Sequence, residues 1–118
     1  MYACWLAYWV ALFAVMHASK PPGAKLVVYL TDWLLHAGAY FVLAGLGGWA
    51  ALRRGRRLNA RWILTWLVIY AAYAAADELL QPLTGRYCQF TDWLADVIGA
   101  ALALLMVARL ARSQTATR

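Results

Sequence analysis

The chain has 118 residues, of which 65% are hydrophobic and 14% charged, and its formal net charge is +6 at neutral pH. Soluble domains are about 45–50% apolar and about 25% charged, so this composition largely excludes a soluble globular domain, and its hydrophobicity excludes a disordered chain. With only two cysteines, a disulfide-stapled secreted fold is excluded as well, which leaves an integral membrane protein.

Four apolar segments are long enough to cross a bilayer, which takes roughly 20 residues each. They cover about residues 1–18, 27–52, 62–81 and 90–110. The first lacks the basic start of a signal peptide and is followed by Pro21 and Pro22, so we expect a retained span. The sequence therefore predicts one domain over residues 1–118, an all-α integral membrane protein built as a four-helix bundle.

Most basic residues lie on one side of this predicted bundle. Eight arginines fall between the second and third spans or after the fourth, namely Arg53, Arg54, Arg56, Arg57, Arg61, Arg109, Arg112 and Arg118. Because basic loops stay cytoplasmic, both termini and the arginine loop are predicted to be cytoplasmic. Topology thus explains the positive charge, and no nucleic-acid partner is expected.

All five acidic residues lie at the opposite, outer ends of the spans: Asp32, Asp77, Glu78, Asp92 and Asp96. At about 1.5 Å of rise per residue, three helices place these groups at similar depth, in the outer third of the bilayer. An ionisable group in hydrocarbon costs at least roughly 2.5 kcal/mol, so such groups face a partner or a wet cavity. A polar site at this depth is therefore expected.

Helical spacing places the polar residues of each span on one face, since residues three or four apart are neighbours. The three stripes are Asp32, His36 and Tyr40; Tyr70, Tyr73, Asp77 and Gln81; and Asp92, Asp96, Gly99 and Ala103. Asp77 and Glu78 differ in direction, so either can be the inward carboxylate. Arg86, in the following loop, is expected to cap the cluster as a counter-ion or to receive an anionic substrate.

A structural interpretation competes for part of this set. The tetrapeptide Thr-Asp-Trp-Leu occurs at 31–34 and at 91–94, and an Asp after Thr at a helix start is ordinary capping. For Asp32 and Asp92, helix capping is therefore as good an explanation as a functional role. It does not account for His36 and Asp96, which lie one turn deeper, and the tyrosines are better explained by packing.

These residues resemble the VanZ-like family of small bacterial membrane proteins, named for a factor associated with teicoplanin resistance. The matching elements are Asp32-x-x-x-His36-x-x-x-Tyr40, Asp77-Glu78-x-x-Gln81, Arg86, and Asp92-Trp93-Leu94-x-Asp96-x-x-Gly99. The resemblance covers roughly residues 17–105. Trp33 and Leu80 depart from it, at positions where the family often has a lysine and a polar residue, which places more of any anion contact on Arg86.

The resemblance implies a multi-pass protein of the bacterial inner membrane with a role in the cell envelope, linked to glycopeptide antibiotic resistance. We expect a site that binds or modifies an anionic envelope lipid or cell-wall precursor at the outer leaflet. The candidate catalytic residues are His36, Asp77, Glu78 and Asp96. The candidate substrate-binding residues are Asp32, Tyr40, Gln81, Arg86 and Asp92.

Two alternatives stay open at this point. A divalent metal suits these nitrogen and oxygen donors, although no spacing favours it over acid/base chemistry. A non-enzymatic protein, in which buried ion pairs stabilise the bundle or dock an envelope partner, also fits. Five carboxylates against Arg86 leave more negative charge than a structural network needs, which favours the ligand site. The sequence decides neither whether the protein is an enzyme nor its oligomeric state.

Overall fold

The computed structural model describes residues 2–16, 26–85 and 87–116. They form the helices α1 (Tyr2–Met16), α2 (Leu26–Arg53), α3 (Ala60–Leu80) and α4 (Phe90–Ala116), with a short 3₁₀ helix at Gln81–Thr84. Within these described residues, three segments are long and apolar enough to cross a membrane, namely Asp32–Arg53, Ala60–Leu83 and Phe90–Ser113. The fold is that of a helical membrane protein.

The first helix is shorter than the other three. Its apolar run is Tyr2–Val15, and the whole of α1 has 15 residues, or about 22 Å of helix. That is less than the roughly 30 Å of a bilayer core, so these residues alone do not establish a fourth span.

Local signals set the helix ends. α2 ends in a Schellman motif, in which the Gly55 amide donates to the Leu52 carbonyl at 2.8 Å and the Arg56 amide to the Ala51 carbonyl at 3.1 Å. Gly55 has φ +73°, a left-handed conformation that glycine adopts without strain. Asn59 then caps α3, its side-chain oxygen accepting from the Trp62 amide at 2.8 Å.

α2 and α4 run in the same direction and pack along their length. Near their starts the Trp33 indole N–H donates to the Thr91 carbonyl at 2.9 Å, and further along Gly48 faces Val107. Both helices therefore run from an acidic end, where all five carboxylates lie, to an arginine-rich end. α3, which lies between α2 and α4 in the sequence, runs in the opposite direction.

A close approach between α2 and α4 lies beside the acidic end. Gly99 is buried, and a Cβ at this position would collide with the backbone carbonyl oxygen of Ala37. Ala95 and Ala103, one turn before and after Gly99, are also buried. Small residues thus let the two backbones meet, as they do at many membrane helix interfaces.

Aromatic packing holds α1 against α2 and α3. The rings of Trp9 and Tyr73 meet edge-on with centroids 5.1 Å apart, and the Tyr8 hydroxyl donates to the Ala39 carbonyl at 3.1 Å. Trp9 also lies against Tyr70, with centroids 5.7 Å apart. Both tyrosines of the predicted stripe on α3 therefore take part in helix packing.

Candidate functional site at the acidic end

Three helices bring six polar side chains together at the acidic end, and each is at most 4% exposed. This polar cluster consists of His36 from α2, Asp77 and Glu78 from α3, Gln81 from the adjoining 3₁₀ helix, and Asp92 and Asp96 from α4. Pro82, at the start of the 3₁₀ helix, ends α3 just after its carboxylates. The convergence predicted from helical spacing is thus present in the structure.

His36 lies between two carboxylates of α4. Its Nδ1 is 3.1 Å from Asp96 Oδ1, a hydrogen bond between buried groups, and its Nε2 is 3.9 Å from Asp92 Oδ2. A carboxylate accepts the first bond from Nδ1–H, so Nε2 is the ring atom left to accept or release a proton. Asp96 therefore holds the imidazole in a fixed orientation, with Nε2 directed toward the first turn of α4.

Glu78 has a different environment. One carboxylate oxygen accepts from the Gln81 side-chain amide at 2.6 Å, and the other accepts from the backbone amide of Gln89 at 2.9 Å. Both oxygens are thus engaged by neighbouring chain segments. Glu78 ties the end of α3 to the residues that lead into α4, and this bond orients the start of α4 relative to α3.

The remaining predicted residues lie around this centre. Tyr40, one turn deeper than His36, is fully buried, and its hydroxyl has no hydrogen-bond partner among the described residues. Asp32 is half-buried, and one of its oxygens lies within 4.8 Å of ligand atoms of His36 and Asp92. Asp77 is buried beside Glu78 on α3. Arg86, the predicted cap, lies outside the described residues.

Two sets of hydrogen bonds at the site could not be predicted from the sequence. Glu78 is bound by the backbone amide of Gln89, a donor that any residue except proline supplies. Trp33 and Trp93, the tryptophans of the repeated Thr-Asp-Trp-Leu, both donate indole hydrogen bonds, Trp93 to the Ala71 carbonyl at 3.0 Å. The repeated Thr-Asp-Trp-Leu was the visible signal for these tryptophans, but it does not name their acceptors.

The donor set fits a divalent cation in composition. Single ligand atoms of His36, Glu78 and Asp96 lie within 4.8 Å of one another, as do those of Asp32, His36 and Asp92. Imidazole and carboxylate ligands suit zinc or manganese. In the first group, however, the histidine Nδ1 and both Glu78 oxygens already serve protein hydrogen bonds, so a metal there would compete with these bonds.

Comparison with known proteins identifies the family of the chain. Residues 7–112, which include the whole polar cluster, match the sequence model of the VanZ/LLP1 family. No curated protein and no solved structure matches the chain. The match covers most of the sequence, so the chain belongs to the VanZ/LLP1 family.

Proposed function

We propose that this protein is a multi-pass protein of the bacterial inner membrane, with four spans, both termini cytoplasmic and the acidic end outward. The arginines at the other end support this orientation, because basic segments stay cytoplasmic. Its aromatic packing on α3 and the hydrogen bond from Tyr8 to α2 support α1 as the fourth span.

At its acidic end the protein binds an anionic envelope lipid or cell-wall precursor and performs acid/base chemistry on its head group. In this proposal Nε2 of His36 moves the proton, and Asp96 orients the ring through Nδ1. Arg86 receives the anionic group, while the acyl tails of the ligand stay in the bilayer. The family's association with teicoplanin resistance supports an envelope substrate.

The observation that carries the proposal is unfilled hydrogen-bonding capacity in a buried site. Among the described residues, no hydrogen-bond partner is present for His36 Nε2, Asp96 Oδ2 or the Tyr40 hydroxyl. Buried polar atoms are nearly always bonded, and a closed structural network would leave few unbonded. Three such atoms, one of them on the histidine itself, support a site that can bond a ligand's polar groups.

The test compares near-isosteric variants with a control at the same end of the molecule. His36→Gln and Asp96→Asn are expressed at matched levels, and growth in teicoplanin and thermal unfolding in detergent are measured. Tyr87→Phe, at an exposed residue, is the control. We expect both cluster variants to fold and to lose the growth phenotype. Folded variants with full phenotype would exclude catalysis at this site.

A second candidate function follows from Glu78. Because both its oxygens are engaged by Gln81 and the Gln89 amide, this part of the cluster has the geometry of a structural network. A non-enzymatic protein, whose cluster stabilises the bundle or docks an envelope partner, predicts that loss of phenotype follows loss of stability across all variants. Stable but inactive His36→Gln protein would separate the two functions.

A further inference from the structure

A cavity of about 740 Å³ lies at the arginine-rich end, opposite the polar cluster. It is lined by Trp49, Leu52, Arg53, Arg56, Arg57, Leu58, Asn59, Ala108, Ala111 and Arg112. Four of these ten residues are arginines, and they come from the end of α2, the loop after it, and the last turns of α4. This volume lies within the roughly 300–1,000 Å³ range of small-molecule sites.

The loop that supplies two of the arginines has a defined conformation. The Schellman motif at Gly55 turns the chain back over the end of α2, where the Arg56 amide is bonded to the Ala51 carbonyl. Asn59 closes the loop by capping α3, which uses its side-chain oxygen. Hydrogen bonds at both ends of the loop thus fix its backbone, from which Arg56 and Arg57 line the cavity.

The wall combines positive charge with apolar surface. Leu52, Leu58, Ala108 and Ala111 supply the apolar part, and the Trp49 side chain is 39% exposed. No acidic residue occurs in the sequence between 33 and 76 or after 96, so the segments that line the cavity supply no carboxylate side chain. A ligand suited to this cavity has an anionic head and an apolar body.

We propose that this cavity binds the phosphate head group of an anionic phospholipid from the adjacent leaflet. Guanidinium groups bind phosphate oxygens in bidentate fashion, and basic pockets between helices at a membrane boundary are suited to lipid head groups. The apolar residues favour a lipid over a free phosphate, because they contact the glycerol and the first carbons of the chains.

Membrane orientation alone does not require this arrangement. The orientation rule counts basic residues near the ends of the spans and is satisfied by exposed side chains in any position. Arg61 and Arg109 are exposed examples that do not line the cavity. The convergence of four arginines on one apolar-walled cavity is the additional feature, and it is independent of the function proposed for the acidic end.

The test measures lipid binding by the purified full-length chain in mild detergent. A fluorescently tailed phosphatidylglycerol is titrated, with a zwitterionic phosphatidylcholine of the same chain length as reference and inorganic phosphate as competitor. For Arg56→Gln/Arg112→Gln we expect phosphatidylglycerol affinity to fall about tenfold or more, since each arginine near anionic lipid contributes substantially. Arg61→Gln/Arg109→Gln removes the same charge outside the cavity and should change affinity less than about twofold.

A second pair of variants leaves every charge in place. Ala111→Phe fills the cavity wall and should weaken phosphatidylglycerol binding, whereas Leu110→Phe, at an exposed neighbour outside the lining, should not. This pair gives the answer if the arginine variants do not fold. Equal losses in both arginine pairs, equal binding of the two lipids, or full displacement by inorganic phosphate would each overturn the proposal.

Discussion

His36 and Asp96 occupy the same position in two copies of one sequence element, and their side chains are hydrogen-bonded to each other. Each lies five residues after the threonine of a Thr-Asp-Trp-Leu tetrapeptide. Because α2 and α4 run parallel, the two copies lie side by side, and His36 Nδ1 is 3.1 Å from Asp96 Oδ1. The repeat thus presents different chemistry at matching positions, an imidazole on one helix and a carboxylate on the other.

The first prediction concerns the energy of this pair. His36→Leu leaves the Asp96 carboxyl group without its ring partner in a buried site, and Asp96→Leu does the same to the imidazole. Each single variant should lose about 1–3 kcal/mol of unfolding free energy, and the double variant less than the sum. A double-mutant cycle by thermal unfolding in detergent measures this coupling. Additive losses would contradict a direct interaction.

The second prediction concerns the backbone contact that brings the pair together. A Cβ at Gly99 would collide with the Ala37 carbonyl, so Gly99→Ala must separate α2 from α4. We expect a loss of about 1–3 kcal/mol, the usual range for overpacking. Gly38→Ala is the control, because a Cβ there meets nothing within 4 Å.

This control should be neutral or stabilise the protein by up to about 1 kcal/mol, since alanine favours a helix over glycine. The measurement is thermal unfolding of the two variants in the same detergent. Similar behaviour of Gly99→Ala and Gly38→Ala would show that the close approach is not needed.

Much of this arrangement could be predicted from the sequence. Apolar runs of near-span length locate the helices, and the spacing from Asp32 to His36, like that from Asp92 to Asp96, places each pair on one helical face. The acidic ends then had to meet, because neighbouring spans alternate in direction. These inferences depend only on periodicity along one helix.

The environments of individual carboxylates could not be predicted, because they depend on how each helix is rotated about its axis against its neighbours. Asp77 and Glu78 differ by one residue on α3, and the environment of each is set by packing on α4. Glu78 is bonded to Gln81 and to the Gln89 amide, a backbone donor with no compositional signal. The number of spans stays a prediction, because α1 is short and its charge-free sequence does not specify where it lies.

The third prediction concerns Glu78 as a structural carboxylate, in contrast to the proton-transfer role proposed for His36. In Glu78→Gln one oxygen becomes an amide nitrogen, which cannot accept the bond from Gln89 or Gln81. We expect a loss of about 1–3 kcal/mol of unfolding free energy and faster hydrogen exchange at the Gln89 amide. Gln89→Ala keeps that backbone amide and serves as the control, for which stability should change little. Equal effects of the two variants would contradict the backbone bond.

The fourth prediction concerns metal ions. In the group of His36, Glu78 and Asp96, the histidine Nδ1 and both Glu78 oxygens already serve hydrogen bonds within the protein, so a metal there would compete with these bonds. We expect the melting temperature of the purified protein to be unchanged by EDTA and by added Mn²⁺ or Zn²⁺. A saturable rise in melting temperature, absent in His36→Gln, would instead show binding to the folded state at this site.

The last prediction concerns Trp33, which stands where the family often has a lysine. Its indole N–H donates to the Thr91 carbonyl, so the first copy of the repeat is bonded to the second. Trp33→Phe keeps an aromatic ring but removes the donor, and should cost about 0.5–1.5 kcal/mol in thermal unfolding. Tyr87→Phe, at an exposed residue of the same end, is the control and should have little effect. If Trp33→Phe is as stable as this control, the indole serves the membrane interface alone, and the alignment of His36 with Asp96 depends on the Gly99 contact.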